Sequence, residues 1–568
     1  MTERPWHDEY DGGVPVAIDW ERMRIDQLLR QTAFAHPERT AIIFYDRKIS
    51  YRELDDLVDR LAAALQDLGV DPGDRVSLFM PNCPQVIVAY HAVWRAGAIA
   101  VPSNPLYTAI EFAHQTADAG SKVAIVLSML QPKVQEARSE TALEHVLVTN
   151  IKEYFKGPTR ALFTLLRERK DGHRVDIGDD PDTSWLHDHI GRPRTPEPVA
   201  TGPGDTAMLM YTGGTTGVPK GAELTHDNLM ANLHQVNAFA PQLRHLEESV
   251  LLALPLTHSY ALTVGAHLAV LRAGTMIIVP DARDLVGLLK VIDAHHPTVF
   301  PGVPTLYGAI SRHRHVAAGK YNIRSINICL SGAAALPPEI QRHFQDATGA
   351  RLVEGYGLSE ASPVTHCNPL GGEDRVGFIG VPLSGTDAKI VDEETEQTTL
   401  GPGERGVLCV SGPQVMKGYW NMPDETNIAL RADGNGTVWL HTGDVAVMDE
   451  TGWFRVVDRK KDMILASGGF NVYPREIEDV LYEHPAVVDA GVIGVPVGGD
   501  NQRGKAFVVL EAGSQVTADD LLEFCRERLA RFKIPRTIEF RDELPKSFVG
   551  KVLRRELAAE EQARAVEP

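Results

Sequence analysis

Three glycines and three threonine hydroxyls precede a lysine in the run Tyr211-Thr-Gly-Gly-Thr-Thr-Gly-Val-Pro-Lys-Gly221. Glycine lets a backbone approach phosphate oxygens, threonine hydroxyls donate to them, and Lys220 supplies positive charge, so the run suits a polyphosphate. Walker A requires G-x-x-x-x-G-K-[ST], whereas Pro219 precedes this lysine and Gly221 follows it, so kinase or motor-ATPase chemistry is not supported. An ordinary turn rich in glycine and threonine is the competing reading.

Three further runs carry chemistry. In Glu354-Gly-Tyr-Gly-Leu-Ser-Glu360, Tyr356 offers a flat face for a base, Ser359 a hydroxyl, and Glu360 a hard carboxylate of the type that holds Mg²⁺ beside phosphates. A solvated surface glutamate is the alternative. In His441-Thr-Gly-Asp444, the Asp444 carboxylate can accept both hydroxyls of a ribose. Downstream, Arg459 can bind that ribose or a phosphate, and the Gly468-Gly469 turn lets backbone approach a narrow ligand. Charge pairing at a domain junction stands beside a hinge role for Lys460, Lys461 and Asp462. In Leu544-Pro-Lys-Ser-Phe-Val-Gly-Lys551, the lysine just before a helix pattern can offset charge developing between a carboxylate and an α-phosphate. A basic helix start without catalytic work is the plainer reading.

The elements that must position these runs alternate between helix and strand, the pattern of an α/β protein with largely parallel sheets. Ser50 and Glu53 form an S-x-x-E capping box ahead of Leu54, Leu57, Val58, Leu61, Leu65 and Leu68, with Gly69 as a stop. Short apolar runs at Arg75–Met80, Val123–Leu127, Met276–Val279, Thr298–Phe300 and Ile326–Leu330 read as strands. Charged and proline-rich sequence between Thr149 and Thr201 reads as a surface insertion or linker. Glycine-punctuated strands from about Gly377 to Arg455 predict a smaller β-rich unit. The rest of the chain reads as β-α-β-α with a helix near Ala518–Leu529. Val250–Leu271 lacks formal charge, but Pro255, Thr257, His258, Ser259 and His267 predict buried strand, loop and helix rather than a membrane span.

Composition narrows the class. The chain has 568 residues, enough for about three or four folding units, and a net charge of −19, which repels nucleic acid. Five single cysteines without C-x-x-C spacing predict neither disulfides nor zinc, and fit a reducing cytoplasm. The acidic N-terminal sequence has no apolar run of signal-peptide length, so a secretory leader is not expected.

The runs YTGGTTGVPKG, SGAAALP, EGYGLSE, HTGD, VDRKKDMILASGGFNVYPREIE and PKSFVGKVLRREL, in this order, resemble the adenylate-forming acyl-CoA synthetase superfamily across about Asp205–Leu557. GPQVMKGYWNMP, VMDETGWFRVVDRKKDMI and FRDELPKS look most like bacterial long-chain fatty-acid CoA ligases. The resemblance implies a large N-terminal domain of α/β subdomains with a β-rich subdomain over residues 1–460, its insertion at about 150–200. It also implies a small mobile α+β domain over residues 461–568, hinged at Lys461. ATP phosphates would meet Thr212, Gly213, Gly214, Thr215, Thr216, Gly217 and Lys220. Adenine would sit between Gly332, Ala333, Ala334 and Tyr356, and the ribose would meet Asp444 and Arg459. Gly357 and Ser359, and the face made by Gly468, Gly469 and Phe470 to Asn471, are further cofactor contacts implied by the resemblance. Lys551, Thr212, Glu360 and His258 take catalytic places, with Glu360 as the magnesium ligand and His258 beside the acyl group.

The implied reaction turns a fatty acid and ATP into acyl-AMP and pyrophosphate, then uses CoA to give acyl-CoA and AMP. The expected setting is the cytoplasm, with peripheral contact at the inner membrane face and a homodimer as further expectations. Three other readings stand beside it: transfer to a carrier-protein thiol, activation of another carboxylic acid, and a catalytically silent scaffold that binds nucleotide or acyl-adenylate. Gly214 stands where many relatives have serine, and Thr257 where many have an aromatic. The segment Ile151–Arg174 has seven Lys or Arg against three acids, with Leu162, Leu165 and Leu166 on one helical face. It can lie on anionic lipid or pack on its own domain.

Overall fold

Ser50 starts the first long helix as its spacing requires: its side chain accepts from Glu53 N at 3.1 Å, and the helix Tyr51–Asp67 buries Leu54, Val58, Leu61 and Leu65. Such an N-cap contributes about 1 kcal/mol. The reciprocal half of the expected box is not made, because the Glu53 carboxylate pairs with Arg47 on the preceding strand. The apolar face of this helix lies on the helix Pro84–Arg95, which is buried along its whole length. The structure, a computed structural model, describes residues 4–178, 180–212, 219–372, 375–466, 470–498, 501–511, 513–547 and 550–566.

Four sheets form among the described residues. The largest has nine strands, with Ser249–Leu252, Thr275–Ile278, Val299–Gly302, Ile328–Ser331 and Arg351–Gly357 running parallel through its centre. The second has eight, with Arg75–Phe79, Ile99–Pro102, Ser121–Leu127 and Thr206–Thr212 parallel at its centre. Helices cover these strands, which is why they read as near-continuous apolar runs. One core cluster spans both sheets, and two of its large side chains tie their polar atoms to backbone carbonyls. Trp94 Nε1 donates to Ala207 O at 2.8 Å, and Tyr51 OH to Gly274 O at 2.8 Å.

The third sheet is antiparallel and built from Asp387–Val391, Arg405–Ser411, Leu430–Ala432, Val438–Met448 and Phe454–Arg459, in line with the expected β-rich unit. The fourth lies wholly beyond residue 463, from Ile464–Ala466 to Thr537–Phe540, and has its own core with the helices Pro474–Tyr482 and Ala518–Arg528. The fold is thus α/β, with a large N-terminal part and a small α+β C-terminal part.

Two local differences from expectation have physical causes. The charged stretch after Thr149 is not structureless: Thr183–Trp185 adds a strand beside His145–Thr149, and the helix Leu186–Ile190 buries Leu186 and Ile190. Two apolar residues four apart among charges make too short a pattern to announce a helix. Val250–Leu271 is buried strand, loop and helix as predicted, but Ala261–His267 takes the wider π form. A Cβ on Gly265 would stand 2.6 Å from Leu252 Cδ2, so glycine is what lets this helix lie so close to the strand. No helix among the described residues is long and apolar enough to cross a membrane.

The carboxyl ends of the central parallel strands deliver Gly302, Ser331 and Gly357 to one edge of the largest sheet, the place where open α/β sheets form ligand crevices.

Candidate active site

Asp444 and Arg459 face each other across the antiparallel strands Val438–Met448 and Phe454–Arg459. Their side chains meet at 3.2 Å, Arg459 Nε to Asp444 Oδ1. Tyr356, near the end of its strand, donates its hydroxyl to Asp444 Oδ2 at 2.5 Å. Burial, and then the neighbouring Asp444 charge, push that phenol well above its ordinary value, so it stays a donor. Gly443, at φ +71°, turns the backbone just before Asp444, whose N–H donates to Thr442 Oγ1 at 3.1 Å. A buried carboxylate held between a phenol and a guanidinium suits a diol, whose two hydroxyls can take over the same acceptor atoms.

Lys551 enters this group from the C-terminal part. Its N–H donates to Ser547 Oγ at 3.1 Å and its carbonyl accepts from Ser547 N at 2.7 Å, a tight turn closed by Gly550 at φ +79°. Desolvation by the surrounding atoms, followed by the Arg459 charge, pushes its ammonium down to about 8, against the pull of Asp444. The side chain is nonetheless solvent-exposed, so it stands in an open cleft rather than in a sealed interior, and water tempers that desolvation.

Thr212 and Lys220 are direct cross-strand partners. Gly213, Gly214, Thr215, Thr216 and Gly217 lie outside the described residues. The Lys220 ammonium bonds to Glu425 and stands 5.4 Å over the Tyr419 ring. Tyr419 OH donates to Glu360 Oε1 at 2.8 Å, so Tyr419 links the flank of the glycine-threonine run to the candidate metal ligand. Neither Tyr419 nor Glu425 was singled out from the sequence. Both follow from the pairing of Gly418–Tyr419 with Lys220–Thr225, a long-range contact that no local spacing announces.

Glu360 shares the short turn Ser359–Ala361 with Ser359. A Cβ on Gly357 would stand 2.0 Å from Pro363 O, so only glycine fits where this segment folds back on itself. Gly332 lies under the Tyr260 ring, its virtual Cβ 3.2 Å away, while Ala333, at φ +68°, and Ala334 are exposed at the rim. His258 is half-buried, and burial alone pushes its imidazole down to about 4. No bond among the described residues joins His258 or Gly332 to the Asp444 group. Lys461 is exposed in the turn Lys460–Asp462. Phe470 opens the strand Phe470–Val472, and Gly468 and Gly469 lie outside the described residues.

An apolar cavity with about 480 Å³ of empty space, part of it open to solvent, is lined by Phe239, Ala240, Leu243, Val264, Leu268 and Leu330 among others. Leu330 belongs to the strand that ends at Ser331, and Val264 to the π-helix that follows His258. The cavity thus lies along the strand that ends at Ser331 and the helix that follows His258, and its lining includes none of Tyr356, Asp444, Arg459 and Lys551. Among the described residues, Glu360 Oε1 accepts from Tyr419 and Oε2 accepts from no side chain. One such carboxylate fits a Mg²⁺ ion whose other ligands are phosphate oxygens and water. The described residues hold no cluster of three or more metal-binding side chains.

Comparison with known proteins places this geometry. A family model described as AMP-binding enzyme matches residues 29–420, and one described as AMP-binding enzyme C-terminal domain matches residues 476–551. The chain is 42% identical over 570 residues to a long-chain-fatty-acid–CoA ligase of Bacillus subtilis (strain 168), covering 99% of each chain. It is 39% identical to the protein of the same description from Escherichia coli O157:H7, again over 99% of each. Among solved structures, ATP-bound MatB from Rhodopseudomonas palustris superposes with a TM-score of 0.82 at 29% identity, covering 95% of this chain and 99% of that one. The apo form of MatB superposes over the same shares at 0.72, so the arrangement of the whole chain lies nearer the ATP-bound form. The chain belongs to the AMP-binding enzymes, and within them to the adenylate-forming acyl-CoA synthetases.

Proposed function

We propose that the protein activates a long-chain fatty acid with ATP and passes the acyl group to CoA. The observation that carries this reading is the convergence of Asp444, Arg459, Tyr356 and Lys551 on one cleft, in a chain that also holds an apolar cavity along the strand Ile328–Ser331. Asp444 and Arg459 take the ribose, Tyr356 and the rim at Gly332, Ala333 and Ala334 take the adenine, and Thr212, Lys220 and the residues between them take the phosphates. The acyl chain lies in the cavity, where each buried methylene contributes about 0.8 kcal/mol. Glu360 holds Mg²⁺, which when bound neutralises phosphate charge.

In the first half-reaction a carboxylate oxygen attacks the α-phosphorus of ATP, the bond to the bridging oxygen breaks, and pyrophosphate leaves. The carboxylate is already ionised, so positioning and charge neutralisation matter more than base catalysis. The Lys551 ammonium stands beside Arg459 and offsets the charge that builds there. Lys220 gives up Glu425 for phosphate oxygens. In the second half the small domain, residues 461–568, turns about Lys461. The strand at Phe470 replaces Lys551, the CoA thiolate attacks the acyl carbonyl, and AMP departs. A hinge at Lys461 is supported by its neighbour: Lys460 is tied to Glu396, in the loop between the strands Asp387–Val391 and Arg405–Ser411 of the β-rich sheet, while Lys461 is exposed.

Leu162, Leu165 and Leu166 are exposed on the helix Gly157–Leu166, which buries no residue. Together with the flanking basic side chains they form a contact for anionic lipid. Leu165→Gln with Leu166→Gln should reduce cosedimentation with anionic vesicles, and unchanged cosedimentation would reject that contact.

The experiment for the main reading is a panel of saturated acids from butyrate to eicosanoate, incubated with ATP and CoA and read by mass spectrometry. Acyl-CoA with long acids supports the proposal. Acyl-AMP that CoA fails to consume would favour a carrier-protein acceptor, and no product with any acid would favour a silent binder.

A further inference from the structure

The strand end that presents Arg459 to the cleft presents Asp458 elsewhere. Adjacent strand residues point to opposite faces. While Arg459 meets Asp444, the buried Asp458 reaches the C-terminal part. Its Oδ2 accepts from Arg475 N at 2.7 Å and its Oδ1 from Arg554 Nη1 at 2.9 Å. Arg554 stands three residues beyond Lys551 and begins the helix Arg554–Val566. Its remaining bonds go to Asp462 at 3.0 Å and, as a fork, to both oxygens of Glu478 at 3.1 and 2.6 Å.

These partners fall into two groups. Asp462 and Glu478 follow Lys461 in the chain and move with Arg554 if the small domain turns there. Asp458 precedes Lys461 and stays behind. A second contact brackets Lys551 from the other side: a Cβ on Gly550 would stand 2.6 Å from Thr305 Oγ1, on the helix Pro304–Ser311 of the large part.

We propose that Asp458 and Arg554 are positioning residues that set Lys551 in the cleft for acyl-adenylate formation and part for the thioester step. The proposal rests on the role given to Lys551 above. The pair suits repeated making and breaking, because stranding a buried charge is what makes broken ion pairs costly. When it parts from Asp458, Arg554 keeps the Glu478 fork, and Asp458 turns to water. A bond that served only to hold the fold together would affect both half-reactions alike.

The test uses the full-length enzyme and two assays. One follows acyl-AMP formation from fatty acid and ATP without CoA; the other follows acyl-CoA formation from synthetic acyl-adenylate and CoA. Asp458→Ala should slow the first by about 100-fold, the scale of a misplacement of roughly 1 Å, and the second by less than about threefold. Asp458→Glu should recover part of the loss. Asp458→Ala with Arg554→Met should be no slower in the first assay than the worse single variant, since each acts through the other. If Asp458→Ala does not fold, Asp458→Asn, which keeps the shape and loses the charge, decides the matter by the same ratio of the two rates. Equal slowing of both halves, or slowing of neither, overturns the proposal. Lys551→Ala separates its foundation: lost adenylation there beside normal adenylation in Asp458→Asn removes the pair alone, whereas retained adenylation in Lys551→Ala removes the role of Lys551.

Discussion

Lys551 works where its charge is hard to keep. Desolvation and Arg459 bring its ammonium down to about 8, so it is largely charged at neutral pH and loses its proton as pH rises through that value. For the free enzyme, kcat/KM of acyl-adenylate formation should therefore fall above about pH 8. Initial rates from pH 6.5 to 9.5 check this, and Lys551→Arg should flatten the alkaline limb at a lower plateau. Lys551→Ala should cost about 100- to 1000-fold in that half-reaction, the scale for removing one charge stabiliser. Lys220 makes a second residue-level case. In the phosphate-binding role proposed for it, its bond to Glu425 must break first, so Glu425→Gln should lower the KM for ATP by a few-fold, as expected for a pair worth about 1 kcal/mol or less. A raised KM would show that Glu425 orients Lys220 rather than competing for it. The side chains of this site were legible where each sits in a compact run, as with Asp444, Arg459, Glu360 and Lys551. Tyr419, Glu425 and Asp458 were not given roles, because each acts through a partner brought close only by sheet pairing or by docking of the C-terminal part.

At the scale of elements, the helix His226–Ala238 and the π-helix Ala261–His267 bound the apolar cavity against the central strands. Ala240, just beyond the first of these helices, is buried and lines it. Ala240→Phe should fill part of the space and shift preference to shorter acids. Each displaced methylene is worth about 0.8 kcal/mol, so losing two costs long acids roughly tenfold in kcat/KM. Competing mixtures of hexanoate and palmitate, read by product mass, measure the shift. The parallel strands and the Ser50 helix were readable because apolar period and capping are local signals. The π form was not: it differs from an α-helix by its hydrogen-bond partners, not by side-chain spacing over so short a run. The cavity was unreadable for a related reason, since its walls come from segments scattered between Val236 and Leu383.

Over the whole molecule, five imidazoles lie buried among the described residues of the large part, that of His173 lowered from its ordinary value by burial. Those of His226, His267 and His366 are pushed by burial to about 4, 3 and 3, and that of His91 falls well below its ordinary value. The unfolded chain takes up these protons near pH 6.5 and the folded chain does not, so their contribution is complete above 6.5 and is lost as pH falls toward 4. One unit below 6.5, each costs on the order of 1 kcal/mol. Glu354 has the opposite sign: burial, opposed by Arg475, raises it to about 7, so it costs stability as pH rises from 4.5 to 7. Five buried rings outnumber the four carboxyls that burial raises, Glu153, Glu354, Glu478 and Asp479, and the thermal midpoint should drop between pH 7.5 and 5.5. A midpoint unchanged or higher at pH 5.5 would mean that these rings bind protons in the folded state.

The account as a whole depends on the fatty acid meeting the innermost phosphorus of ATP. Carboxylate-¹⁸O-labelled palmitate, incubated with the enzyme, ATP and CoA, tests this most directly. One labelled oxygen should leave with AMP, and pyrophosphate should carry none. Formation of ADP with the label in inorganic phosphate would contradict the account.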